Sequence, residues 1–304
     1  MSTPVALLAL IGGLVVVVAG AELLFEAVLG AASRLRVAPF VITAVLSGFE
    51  LENLTAGIAA NAKGLPGAAA GTFLGGTTFL ALGVAGISAL IAPIRARLPT
   101  PALLWTAAAP LPLLALSLNG RLTRLDGALL IAWFAISLTG LARSGRHLIE
   151  AGDDKPPPKH IGARLAGGLA LLIAGGDLLA ASLRDVVKHL GVSQTLLGNT
   201  AIAAAVEAEE VARVAVPGRR GRGDIALANL AGTIVHFTAL NAGVIALVKP
   251  LPLDNTTRHL HVPFAAGSTL LLCAILALRH GIGRLEGSLL LALYAGYVAA
   301  AITF

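Results

Sequence analysis

The sequence predicts an all-α integral membrane protein, with about ten transmembrane helices in two inverted five-helix repeats. Three observations carry that expectation: an apolar composition, a succession of span-length segments, and local motifs that recur in the second half. Of 304 residues, 57% are hydrophobic and 12% are charged, with a mean hydropathy of +0.87. Soluble domains carry about 25% charged residues, so this chain has too few polar groups to cover a water-facing surface. Its 35 glycines suit closely packed membrane helices. The net charge is +6, but Lys and Arg fall in short clusters between apolar runs, without interleaved aromatics. Membrane topology accounts for them, and no nucleic-acid partner is expected. The single cysteine, Cys273, excludes an intramolecular disulfide and a thiolate metal cluster.

Taken in order, breaks at charged, Pro and Gly clusters give segments near 4–29, 37–61, 66–94, 101–118, 125–142, 162–186, 193–215, 223–249, 261–279 and 285–303. The first lacks a basic n-region and outruns an h-region, so it reads as a span, not a cleaved signal peptide. Between the fifth and sixth lies "ARSGRHLIEAGDDKPPPKHIGARL" (Ala142–Leu165), whose Asp-Asp-Lys-Pro-Pro-Pro core reads as a solvated linker. The expected organisation is a first repeat over 1–142, a linker over 143–161 and a second repeat over 162–304. With both termini outside, the inside loops hold 14 basic residues and the outside loops 7. The positive-inside rule therefore favours that orientation, with the linker inside. The expected location is the plasma membrane.

The halves repeat. "GAELL" (Gly20–Leu24) matches "GGDLL" (Gly175–Leu179), and "LRVAP" (Leu35–Pro39) matches "LGVSQ" (Leu190–Gln194). "KGLPGAAAGTFLGGT" (Lys63–Thr77) resembles "RGRGDIALANLAGTI" (Arg220–Ile234), and "RLDGALL" (Arg124–Leu130) matches "RLEGSLL" (Arg284–Leu290). Four pairs in one order indicate duplication. Five spans per half is an odd number, so the halves lie in opposite orientation, a layout common among secondary transporters.

The second and seventh segments carry acids: Glu50 and Glu52, then Glu207, Glu209 and Glu210. A carboxylate at the bilayer centre costs at least about 2.5 kcal/mol on insertion scales. Such groups must face a bundle interior or a wet cavity and pair with protons, cations or each other. The upstream motifs set an offset of 155, pairing Glu52 with Glu207 and Thr55 with Glu210. The downstream motifs set 157, pairing Glu50 with Glu207, Glu52 with Glu209 and Asn53 with Glu210. An indel in the loop after Ala60 is easier to accept than one inside a buried helix, which favours Glu52 with Glu207. Glu207 and Glu210 share a face. Glu209 and Arg213 are spaced for an ion pair, which is a purely structural reading of Glu209. Glu50 lies about 200° round the helix from Glu52, so one of them is expected to be structural.

The following segments supply Thr72, Thr77 and Thr78, then Asn229, Thr233, His236, Thr238 and Asn241. Oxygen ligands suit hard cations. His236 reads either as a proton carrier or as a hydrogen-bonded packing group. Glu22 and Asp177 read as helix-capping or interhelical hydrogen-bonding groups.

These residues resemble the cation/Ca²⁺ exchanger superfamily, which includes the Na⁺/Ca²⁺ exchangers. The family has ten spans in two inverted repeats. Each repeat carries G-T-S-x-P-E on its second span and G-N-x-x-G-S-N on the next. "LLGNTAIAAAVEAEEVARVAVPGRRGRGDIALANLAGT" (Leu196–Thr233) lies on that pattern without gaps. Glu210 takes the family's ion-binding glutamate and Glu207 its serine, while Asn229, Gly232 and Thr233 take its Asn, Gly and Ser. In the first half, Glu52 and Thr55, or Glu50 and Asn53, take the serine and glutamate places. "GTFLGG" (Gly71–Gly76) stands for the following motif. Neither G-T-S-x-P-E is intact, so the resemblance implies fold and transporter class but not the identity of the cation.

The expected function is secondary active cation antiport. A cation, Ca²⁺ or another metal ion, exchanges for Na⁺ or H⁺ by alternating access at a midplane carboxylate site. The expected ligands are Glu50, Glu52, Thr55, Thr72, Glu207, Glu210, Asn229 and Thr233. The expected partners are inorganic cations and the lipid bilayer, with no cofactor. The alternative is a degenerate exchanger-fold protein acting as sensor or scaffold without transport. An enzyme is not expected, because the sequence has no H-E-x-x-H, no G-x-S-x-G and no repeat-related Asp pair.

Overall fold

The computed structural model describes residues 3–47, 51–146, 160–189 and 208–303. These residues are mostly helical. The first half comprises α1 (Thr3–Leu35), α2 (Pro39–Leu46), α3 (Leu51–Ala62), α4 (Pro66–Thr78), a π-helical turn (Phe79–Val84), α5 (Ala85–Ile91), β1 (Ile94–Arg95), α6 (Thr100–Ala108), α7 (Leu111–Leu116), β2 (Arg121–Leu122) and α8 (Arg124–Gly145). The second half comprises α9 (Ile161–His189), α10 (Ala208–Arg219), α11 (Gly223–Val235), a π turn (His236–Asn241), α12 (Ala242–Val248), β3 (Leu251–Pro252), a π turn (Thr257–His261), α13 (Val262–Arg279), β4 (Gly281–Ile282) and α14 (Arg284–Thr303).

Among the described residues, seven helical stretches are long and apolar enough to cross a membrane. The segments expected over 37–61 and 193–215 are not among the seven, and both run into residues outside the description. α14, on the tenth expected segment, is also not among them. Two of the seven, Pro66–Ile91 and Gly223–Val248, are 78% buried within the protein and form its centre. Leu8–Leu35, Arg124–Gly145 and Ile161–Leu179 are the least buried, each with 28% of its most apolar stretch covered. α1 turns Leu8, Ile11, Leu14 and Val15 outward, as a lipid-facing helix must.

Matched elements have matched lengths. α4, its π turn and α5 have the same lengths as α11, its π turn and α12, displaced by 157 residues throughout. A π turn inserted in an α-helix is uncommon and often marks a functional position; here two occupy corresponding places in the central helices.

Glycine contacts join the halves. α1 and α9 cross antiparallel, because a Cβ on Gly13 would meet the Gly175 carbonyl at 3.2 Å and one on Gly20 the Gly168 carbonyl at 3.0 Å. α8 meets α12 at Gly127 and Gly243, and α5 meets α14 at Gly86 and Gly287, with carbonyls 2.6–2.9 Å from the built Cβ positions. The short strands also pair crosswise, β1 with β4 and β2 with β3, both antiparallel.

The recurring R-L-D/E-G motif has a local cause. Thr123 caps α8 through a reciprocal box, its hydroxyl accepting from the Asp126 N–H while the Asp126 carboxylate accepts from the Thr123 N–H at 2.7 Å. At the start of α14, Glu286 accepts from the Gly283 N–H at 3.1 Å. Glu22 lies within α1, away from its ends, and accepts from Arg220 at 2.7 Å. Arg220 lies in the turn after α10, so Glu22 ties α1 to that turn and caps no helix.

Candidate functional site

α3 and α10 carry the acids, and both end in one kind of turn. Gly64 and Gly221 adopt positive φ of 76° and 74°, as glycine does just past a helix end. In the first turn Gly64 N–H donates to Asn61 and Leu65 N–H to Ala60; in the second, Gly221 donates to Gly218 and Arg222 to Pro217. Each pair of bonds is displaced by 157 residues. The loop after Ala60 therefore has the same length in both halves and holds no indel. This corrects the expected register: Glu52 corresponds to Glu209, Asn53 to Glu210 and Thr72 to Asn229. The length difference between the halves falls upstream of these helices.

On α10, Glu210 is fully buried and Glu209 is 3% exposed. Glu210 Oε1 accepts from Arg213 Nη1 at 2.6 Å, and Glu210 Oε2 accepts from Asn229 Nδ2 at 2.5 Å. Glu209 Oε1 accepts from Arg213 Nη2 at 3.2 Å. The anticipated Glu209–Arg213 pair is present, but Glu210 makes the shorter contact. Asn229 and Thr233 project from one face of α11, four residues apart. The Thr233 hydroxyl contacts the Asn229 carbonyl at 3.0 Å and the Ser47 carbonyl at 3.2 Å.

Ser47 follows the C-terminus of α2, where a carbonyl has no partner within its own helix. It approaches because Gly232 has no side chain: a Cβ there would overlap the Ser47 hydroxyl and the Ala44 carbonyl. Arg213 Nη1 also reaches the Ser47 carbonyl, at 3.3 Å. Two carboxylates and a carbonyl from the other half thus converge on one guanidinium, with the Asn229 amide on Glu210 and the Thr233 hydroxyl on the Ser47 carbonyl. In a low-dielectric interior such charges persist only when paired and hydrogen-bonded.

Of the other expected ligands, Thr72 is half-buried on α4, with its hydroxyl donating to the Ala69 carbonyl at 2.8 Å. It lies against Gly57 of α3, where a Cβ would come 2.7 Å from its Oγ1. Thr55 is exposed on α3. Glu52 belongs to α3, but its side chain lies outside the description, as do residues Glu50 and Glu207. His236 is buried, with Nδ1 2.8 Å from the Gly232 carbonyl and its ring edge-on to Phe134 at 4.7 Å. It is packed and hydrogen-bonded in the described interior.

Sequence reasoning missed the Ser47 carbonyl and the contact of Arg213 with Glu210. The three-residue spacing of Glu210 and Arg213 was a usable signal. Nothing local marks the Ser47 carbonyl, because its position depends on α11 approaching through Gly232.

A family profile described as sodium/calcium exchanger protein matches residues 5–142 and 160–303. The chain is 29% identical to "Putative antiporter CaxA" of Alkalimonas amylolytica, over 94% of this chain and 95% of that protein. It is 26% identical to the inner membrane protein YrbG of Escherichia coli strain K12, over 81% and 80% of the two chains. Its structure is similar to that of the sodium-calcium exchanger NCX_Mj, with a TM-score of 0.82, 23% identity and coverage of 98% and 99%. That likeness concerns the fold.

Proposed function

Because the chain belongs to the sodium/calcium exchanger protein family, we propose that it is a multi-pass membrane protein that exchanges cations. The cation, Ca²⁺ or another metal ion, moves against Na⁺ or H⁺ by alternating access at a carboxylate site near the midplane. The carrying observation is the buried cluster of Glu209, Glu210, Asn229 and Thr233 among apolar, span-length helices. Membrane helices hold ionisable groups at such depth chiefly for ion and proton pathways. The proposed ligands are Glu50, Glu52, Thr55 and Thr72 from the first half, and Glu207, Glu210, Asn229 and Thr233 from the second.

The proposed architecture is ten spans in two inverted repeats, over 1–142 and 162–304, with both termini outside the plasma membrane. The 157-residue displacement of α4–α5 onto α11–α12 supports it, as do the antiparallel glycine contacts between halves. Rocking one repeat against the other would open the shared cluster to each side in turn.

The test is flux in proteoliposomes under imposed Na⁺, Ca²⁺, Mg²⁺, Mn²⁺ and pH gradients. Gradient-driven exchange that Glu207→Gln abolishes is the expected result; normal exchange in that variant refutes the ligand assignment. The Glu210–Arg213 pair favours a second reading, a sensor or scaffold whose site is neutralised internally. Saturable cation binding with no flux under any gradient would select it.

A further inference from the structure

Arg213 is enclosed by cation ligands. Its guanidinium donates to Glu210 Oε1 at 2.6 Å, to Glu209 Oε1 at 3.2 Å and to the Ser47 carbonyl at 3.3 Å. Carboxylate and backbone carbonyl oxygens are the ligands a hard cation selects. They come from α10 and from the end of α2, in opposite halves of the chain.

The neighbouring groups are already committed. Asn229 Nδ2 holds the second oxygen of Glu210 at 2.5 Å, and the Thr233 hydroxyl contacts the Ser47 carbonyl at 3.2 Å. The Arg213 side chain is only 4% exposed, and those of Glu209 and Glu210 are 4% and 0% exposed. An exposed helix pair of this spacing would be loose and screened. Here water cannot supply the compensation, so the buried carboxylates need a positive charge or a proton at this point, and the structure places a guanidinium there. At the 157-residue displacement, Ala56 stands where the second half has Arg213, and Glu52 stands where it has Glu209. The first acidic helix keeps an acid and lacks the base.

We propose that Arg213 is a tethered cation: its guanidinium occupies one cation position of the exchange site, and the ion that position would otherwise carry is built into the chain. This rests on the exchanger reading and deepens it. The second half-site is neutralised in advance, so the transported cation shares Glu210 with the guanidinium. The carried charge per cycle is one lower than in the same site without the arginine. A purely structural ion pair makes the opposite prediction, since its removal would destabilise the protein without creating an ion site.

The experiment uses the purified full-length protein. Its melting temperature is followed against NaCl and CaCl₂, with N-methyl-D-glucamine chloride matching ionic strength. A ligand that binds only the folded state raises that temperature with concentration. Arg213→Gln should respond to Na⁺ or Ca²⁺ at concentrations at least about tenfold lower than the parent does, a gain of about 1.4 kcal/mol in binding. Arg213→Lys, which retains the charge, should respond as the parent does. A folded Arg213→Gln with unchanged or weaker affinity for both cations overturns the proposal. If Arg213→Gln folds in none of these salts, Glu209→Gln/Arg213→Gln decides by the same criterion, because it removes one acid together with the base. Parental flux separates the two readings. Flux with no gained affinity in the variant refutes the tethered cation and leaves exchange standing. Gained affinity without parental flux refutes exchange and leaves the tethered cation.

Discussion

Replacing Glu210 by Gln removes one charge from the cluster with almost no change of shape. The parent carboxylate accepts from Arg213 at 2.6 Å and from Asn229 at 2.5 Å. A glutamine has one acceptor and two donors at its end. If its oxygen faces Arg213, its NH₂ meets the Asn229 NH₂; if its oxygen faces Asn229, its NH₂ meets the guanidinium. Either orientation opposes donors, and only the first is relieved if Asn229 turns over. The charge-assisted bond to Arg213 is worth about 1.5–3 kcal/mol. Glu209 still offsets the guanidinium, so the variant folds. Arg213→Ala, by contrast, leaves two buried carboxylates and costs about 3–5 kcal/mol. At about 2 °C per kcal/mol for a chain of this size, Glu210→Gln should melt about 3–6 °C below the parent. Exchange in proteoliposomes should fall by about tenfold or more, because each 1.4 kcal/mol lost in cation binding is a factor of ten. Thermal unfolding and flux are measured on the same preparation. A variant that melts within about 1 °C of the parent and exchanges at the parental rate refutes both the charge pairing and its role in transport.

Three further outcomes follow from the geometry. Gly127→Ala forces a Cβ to 2.6 Å from the Gly243 carbonyl and 2.8 Å from the Leu247 N, both backbone atoms. It should therefore lose about 1–3 kcal/mol of stability, whereas Gly71→Ala, with nothing within 4 Å, should gain about 0.5–1 kcal/mol; thermal unfolding of the two variants gives the signs. Asp254 sits below the ordinary carboxylate pKa of 3.8 because the Thr257 side chain and backbone N–H donate to it. Its contribution is present above that value and is lost as pH falls through the depressed one. Asp254→Ala should cost about 1 kcal/mol at neutral pH and show a smaller fall in melting temperature than the parent below about pH 4. The corrected register makes Asn53 the counterpart of Glu210, so Asn53→Glu should tighten Na⁺ or Ca²⁺ binding while Thr55→Glu should not. The reverse order would restore the 155-residue register.

Membrane character was legible in the sequence because lipid imposes an average property on long segments, and 57% hydrophobic residues meet it. The paired motifs were also legible, since each has a local physical duty. The R-L-D/E-G motif caps a helix start, and Gly64 and Gly221 end a helix at positive φ. What composition could not show was the layering, with Pro66–Ile91 and Gly223–Val248 at the centre and α1, α8 and α9 least buried. All of these segments are apolar, so hydropathy does not rank them. Their order is set by small residues at contacts, and a glycine in a sequence does not announce which neighbour it admits.

The site was legible in kind but not in register. Two acids separated by one residue fit two alignments almost equally well, and a preference for indels in loops decided between them wrongly. The turns at Gly64 and Gly221 carry the same hydrogen bonds at equal spacing, and that evidence exists only in three dimensions. Arg213 was visible as a partner for Glu209, because four-residue spacing on a helix is a local relation. Its contact with the Ser47 carbonyl is not local: it spans 166 residues and depends on Gly232 letting α2 come close. A guanidinium bound only to its own helix would be an ordinary ion pair, whereas one bound also to the opposite half ties together the two parts that the proposed exchange would move against each other. Under that proposal, whatever displaces or retains Arg213 acts on the contact between the halves as well as on the charge of the site.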